Sequence, residues 1–116
     1  MIDYRRREVG ADGQVLLMEL SGQLDAAACE FLFSVIDGEI EDGRNQLIMD
    51  CHDLRFISSI GLGMLIRIHS KAKKNGGDVK LSRVHGVIAD VIKLVMLDKV
   101  LQIYPTVDEA VAAFEV

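Results

Sequence analysis

The chain has 116 residues, half of them hydrophobic and 27% charged, and carries a net charge of −5 at pH 7. That length sets the expectation of one domain over residues 1–116, able to bury roughly two-thirds of its unfolded surface without help from disulfides or metals. The acidic balance argues against a nucleic-acid groove or an anionic membrane surface as partner. No apolar run approaches a bilayer span and no cleavable apolar leader opens the chain, so a soluble, cytoplasmic protein is expected.

Ile2 to Val9 reads as a weak strand. Its Arg5-Arg6-Arg7 cluster, followed at once by Glu8, puts charge along a sheet edge, a pattern that discourages edge-to-edge pairing. Gly10-Ala11-Asp12-Gly13 is turn chemistry, and Val15-Leu16-Leu17-Met18-Glu19-Leu20 is a strong strand, so the chain opens with a hairpin. Gly22 is expected to break that strand. Asp25 is a natural cap for a helix beginning Ala26-Ala27-Ala28, in which Ala28, Phe31, Leu32, Val35 and Ile36 share one apolar face. Gly43 closes the segment.

Gln46-Leu47-Ile48-Met49-Asp50-Cys51 is a short apolar run that reads as a buried strand. A loop through Ser59 then leads to a helix in which Met64, Leu65, Ile68 and Ala72 recur at helical spacing, to about Asn75. Lys71, Lys73 and Lys74 complement the negative end of that helix, and Gly76-Gly77 stops it. Val79-Lys80-Leu81 is a short strand, Val87 to about Met96 a third helix, and Leu101-Gln102-Ile103 a last strand. Thr106-Val107-Asp108-Glu109 has the form of a capping box opening a final helix with Ala110, Val111 and Phe114 inside. The order β-β-α-β-α-β-α-β-α predicts a mostly parallel α/β sheet with an antiparallel N-terminal edge strand. Right-handed crossovers added in one direction predict helices packed on one face.

In such sheets functional loops gather at the carboxyl ends of the strands. Three segments qualify: Gly22–Asp25, His52–Ser59 and Ser82–Gly86. A hydrolase elbow needs glycine two residues before its serine, where Ile57 stands, and nothing local orients Asp25, Asp53 or His85 as a triad. Asp50 near the end of a central strand suggests a phosphoryl-accepting receiver. Such a site also needs an acidic pair and a lysine, where this chain has Ser21-Gly22-Gln23 and Tyr104-Pro105-Thr106. Gly61 and Gly63 lack the lysine or third glycine of a phosphate loop, and their expected role is close packing of the helix start against the sheet. Cys29 and Cys51 read as small core fillers, and His52, His69 and His85 are scattered, so no metal site and no cofactor is expected.

Ser58 and Ser59 remain, at the mouth of the second helix. Hydroxyls there cap free N–H groups, and the same N–H groups and macrodipole tolerate an added phosphate. Ile60 and Met64, with Arg67 one turn further, fit either an adjoining contact surface or a wide core face.

With Gly22-Gln23-Leu24-Asp25 before the first helix and Phe56-Ile57-Ser58-Ser59-Ile60-Gly61-Leu62-Gly63 before the second, nearly the whole chain resembles a STAS domain. More narrowly it resembles the stand-alone anti-sigma factor antagonists of bacteria. Their pattern at the second motif reads Asp-Ser-x-Gly-Leu-Gly. The phosphorylated serine falls on Ser59, Gly61, Leu62 and Gly63 match as they stand, and the Asp of the pattern is Ser58 here. Asp25 matches the acidic residue of the first loop, which in the family helps form the partner-binding surface.

The resemblance implies a partner-switching regulator of transcription rather than an enzyme, with Asp25, Ser58, Ser59, Ile60, Gly61 and Met64 at the partner surface. The unphosphorylated form would bind an anti-sigma factor that is itself a serine kinase. Phosphorylation of Ser59 would release it, and a serine phosphatase would reset the switch. An alternative use of the same domain is a scaffold or accessory subunit of a stress-sensing or lipid-transport complex, with Ser59 only capping.

Overall fold

The computed structural model describes residues 2–115. β1 (Ile2–Val9) and β2 (Val15–Leu24) form the opening hairpin. There follow α1 (Ala26–Glu41), β3 (Gln46–Ile57), α2 (Ser59–Lys74), β4 (Asp78–Ser82), α3 (Gly86–Leu94), β5 (Gln102–Tyr104) and α4 (Val107–Phe114), with one 3-10 turn at Leu97–Lys99. The five strands lie side by side in chain order; β1 is antiparallel to β2 and every other pair is parallel. Arg6 on the β1 edge pairs with Glu39 of α1 at 2.5 Å, and Arg7 with Glu19 at 3.4 Å.

The two central strands outrun their apolar segments. Gly22 does not end β2: its φ of 103° lets the backbone absorb a bulge, with register shifts between Glu19 and Ser21 and between Gly22 and Gln23. Pairing then resumes, Gln23 opposite Phe56 and Leu24 opposite Ile57. β3 correspondingly continues to Ile57. Its outer half alternates irregularly, burying Leu54 and Ile57 between exposed His52, Asp53, Arg55 and Phe56, and so carries little of a strand's period.

Helices α1, α2 and α3 cover one face, as right-handed crossovers require. Leu16, Met18, Leu20, Leu47, Met49, Val79 and Leu81 meet Leu32, Ile36, Leu65, Ile68, Ile88 and Ile92 there. The fourth helix corrects the expectation of a single covered face. α4 follows the last strand, closes no crossover, and folds back beneath the sheet, where Val15, Leu17, Ile48 and Ala110 form a second core with Val107, Val111 and Phe114. Covering both faces explains why β2 and β3 read as unbroken apolar runs rather than alternating ones. Lys80, buried on that second face, donates to Gln102 Oε1 and lies 4.6 Å from the Phe114 ring. Phe31 does not join the core face of α1; it is exposed, its ring centroid 6.1 Å from that of Tyr4.

Candidate functional site

The extended pairing of β2 with β3 brings two helix starts together. Leu24 and Ile57 are opposite one another at the strand ends, and the Ser58 N–H donates to Leu24 O at 3.0 Å. Asp25 caps α1, its Oδ1 accepting from the Ala28 N–H at 3.0 Å, and Ser58 caps α2, its Oγ accepting from the Gly61 N–H at 3.1 Å.

The structure separates the two serines. Ser58 is half-buried and its hydroxyl is engaged as the cap. Ser59 is the first residue of α2 and exposed, and among the described residues no side chain hydrogen-bonds to its hydroxyl. The N–H groups of Ser59 and Ile60 belong to the opening turn, which has no intrahelical acceptors for them.

The two glycines also differ. Gly61 is buried, and a Cβ there would sit 2.7 Å from Ile57 Cγ1 and 3.2 Å from Leu24 O, so its role is the close packing expected of it. A Cβ at Gly63 would meet nothing within 4 Å. Gly63 instead opens onto a groove of about 850 Å³ between α1 and α2, lined among others by Cys29, Phe33, Ile60, Met64 and Arg67. The pair Ile60 and Met64 divides: Ile60 is 55% exposed beside Ser59, whereas Met64 is 3% exposed and belongs to the core, with one edge on the groove. Arg67 lies over Phe33, its guanidinium carbon 4.1 Å from the ring centroid. Burial pushes the Cys29 thiol up, against the opposing effect of the Ser58 hydroxyl, which keeps it a neutral wall residue. Phe33 and Glu30 were not marked by the sequence pattern. Phe33 stands four residues after buried Cys29, and that spacing is the one clue to its place on the groove side.

The remaining loop residues form a different cluster. Asp50, buried in mid-strand, accepts from Ser82 Oγ at 3.0 Å and from Arg83 Nε and Nη2 at 2.8 and 2.6 Å. The carboxylate in turn raises the Arg83 guanidinium's affinity for its proton. Arg83 holds a left-handed backbone (φ 54°), its N–H donating to Tyr104 O at 3.0 Å. This clamp ties β3, β4 and β5 together. His85 Nε2 is 2.8 Å from His52 O, and His52 Nδ1 is 3.0 Å from Asp53 Oδ1. Asp25, Asp53 and His85 are thus each engaged apart from Ser59, and no triad assembles. Among the described residues, no group of three or more His, Cys, Asp or Glu side chains is placed to hold a metal. No helix among them is long and apolar enough to cross a membrane.

Comparison with known proteins bears on this arrangement. The family model for the STAS domain matches residues 6–110. The anti-sigma F factor antagonist of Paenibacillus polymyxa is 24% identical over 103 residues, 88% of each chain. The crystal structure of an anti-sigma factor antagonist from Mycobacterium paratuberculosis superposes with a TM-score of 0.87 at 26% identity, over 100% of this chain and 96% of that one. SpoIIAA of Bacillus in its phosphorylated form superposes at 0.74 and 20% identity, over 96% and 98% of the two chains, a likeness of fold.

Proposed function

The chain belongs to the STAS domain family, and from that premise we propose that it is an anti-sigma factor antagonist switched by phosphorylation of Ser59. Its relatives of similar length carry that name. The observation that carries the assignment is the division of labour at the mouth of α2. Ser58 does the capping, so the hydroxyl of Ser59 is left exposed on a helix N-terminus that favours negative charge.

The partner surface is then Asp25, Ser58, Ser59 and Ile60, continued by Gly63 and Arg67 along the groove; Gly61 and Met64 shape it from beneath. The partner is an anti-sigma factor that acts as a serine kinase, and a serine phosphatase restores the free hydroxyl. Phosphorylation adds about −1.5 to −2 charges in one step. Against a partner packed on Ser59 and Ile60, that charge is desolvated and unpaired, and a penalty of about 2.8 kcal/mol is a hundredfold in affinity. No refolding is needed for such a switch.

Incubation with ATP and the cognate kinase is expected to add one phosphate, detected by mass spectrometry and retained in Ser58→Ala but lost in Ser59→Ala. The phosphorylated chain should bind that kinase about a hundredfold more weakly in calorimetry. Labelling that survives Ser59→Ala, or equal affinity of the two forms, overturns the assignment.

A further inference from the structure

The groove between α1 and α2 is built from two matching stripes. Ala26, Cys29, Glu30 and Phe33 line it from α1. Ile60, Gly63, Met64 and Arg67 line it from α2, at the same intervals of three, one and three residues. Each stripe is one face of one helix, about two turns and about 10 Å long. Because β2, β3 and β4 are parallel, the two helices run in the same direction, and the groove starts at both helix mouths, beside Ser59. Ala26 and Gly63 widen it, buried Cys29 and Met64 floor it, and Arg67 over the Phe33 ring closes its far end.

The walls select the shape of what fits there. Beyond their first turns both helices spend their backbone N–H and C=O groups on their own ladders, so an extended peptide finds no edge to pair with. A proline-rich segment needs a row of open aromatic rings, and the one ring here, Phe33, lies under Arg67. A trough two turns long, with an apolar floor between two helical walls, matches the apolar face of a third helix. The charges select the flanks of that helix. Arg67 at the far end forms no ion pair among the described residues, and neither does Glu30 on the opposite wall, about one turn nearer the mouth. A helix that sets a carboxylate at Arg67 and a basic residue at Glu30 satisfies both, and the order of the two charges fixes its direction along the groove.

We propose that the groove takes a two-turn amphipathic helix of the anti-sigma partner, its carboxylate on Arg67 and its basic residue on Glu30. The inference rests on the reading of Ser59 as the switch and adds what the partner presents beside it. Gly63→Leu fills the groove at a position where a Cβ meets nothing within 4 Å, and Arg67→Glu reverses the charge at its end. Calorimetry with the anti-sigma kinase is expected to show each variant binding at least about tenfold more weakly, with the rate of Ser59 labelling at saturation unchanged. Urea unfolding should show neither variant to be less stable than the wild type. A benzophenone carried on Ala26→Cys, at the mouth, reports the occupant directly, since Cys29 and Cys51 are buried. Its crosslinks are expected in one helix of the kinase, with apolar residues three and four apart and an acidic residue toward the end away from the mouth. Crosslinks to a strand, to a loop or to a second copy of this chain overturn the proposal. Labelling of Ser59 by a kinase whose affinity ignores both variants strikes the groove and leaves the switch. Binding that is lost in both variants, without labelling of Ser59, strikes the switch and leaves the groove. A kinase that neither binds nor labels the chain overturns both.

Discussion

Gly61 and Gly63 stand two residues apart in one helix, and alanine at each should have opposite effects. In a helix interior alanine is favoured over glycine by about 1 kcal/mol, mainly because glycine loses more backbone entropy. At Gly63 nothing lies within 4 Å of the added methyl, so Gly63→Ala should gain that full amount. At Gly61 the methyl would sit 2.7 Å from Ile57 Cγ1 and 3.2 Å from the Leu24 carbonyl oxygen, which already accepts the Ser58 N–H. A methyl forced this close, partly against backbone, falls in the upper part of the usual overpacking cost, about 2–3 kcal/mol, so the net for Gly61→Ala is a loss of about 1–2 kcal/mol. Urea unfolding of the three proteins, with equal m-values, reads both effects directly. Binding of the proposed anti-sigma partner adds a second axis, since the Gly63→Ala methyl faces the groove assigned to that partner and should weaken binding in the more stable protein. A Gly61→Ala protein as stable as the wild type, or a Gly63→Ala protein that is not more stable, would refute the packing argument.

Ser58→Ala removes the Oγ bond to the Gly61 N–H and should cost about 1 kcal/mol, whereas Ser59→Ala should stay within about 0.5 kcal/mol, as chemical denaturation will check. Arg83→Met leaves the Asp50 carboxylate buried without its cation. Breaking a fully buried pair costs about 3–5 kcal/mol, and because Arg83 itself is partly exposed the expected loss is about 2 kcal/mol in the same assay. Burial pushes the Cys51 thiol up to about 12 from an ordinary 9.0. The native state therefore keeps a proton that the unfolded chain releases, and stability should fall as pH rises from about 9 toward 12. Cys51→Ala lacks that component, and unfolding curves of the two proteins that run parallel through this range would contradict it.

What the sequence made legible were features set by local chemistry. Asp25, Ser58 and Thr106 announce helix starts through their own hydroxyls and carboxylate, and each caps its helix. The strand order follows from segment lengths and crossover handedness alone. Less legible was whatever depends on a partner segment. The outer half of β3 is a strand only because β2 continues beyond Gly22 to pair with it, and His52-Asp53 read alone as loop. α4 carries the same amphipathic pattern as the other helices, and nothing in that pattern says which face of the sheet it covers. At the candidate site Ser59 was singled out by position. The split between Ile60 and Met64 required knowing which side of α2 meets the core, since both lie on one broad helical stripe.

Ser58 deserves a physical test of its own, because an Asp at this position would cap the helix equally well but leave a different charge beside Ser59. The proposed phosphate on Ser59 would sit at a helix N-terminus, so the terminus should favour its dianion and pull its second ionisation below the ordinary value of about 6. An interaction of about 0.3–1 kcal/mol corresponds to a shift of a few tenths of a unit. Ser58→Asp retains the cap but adds a carboxylate about 6 Å away, which in near-aqueous surroundings opposes the dianion by about half a unit. Phosphorus NMR titration of the phosphorylated proteins, native and in urea, measures both. Coincident native and unfolded midpoints would remove the helix terminus from the account of the switch. A depressed native value that rises in Ser58→Asp would mean that the hydroxyl cap enlarges the swing. The mouth of α2 then carries one carboxylate fewer than it would with Asp at position 58, and the phosphate supplies a larger share of the charge that a partner meets.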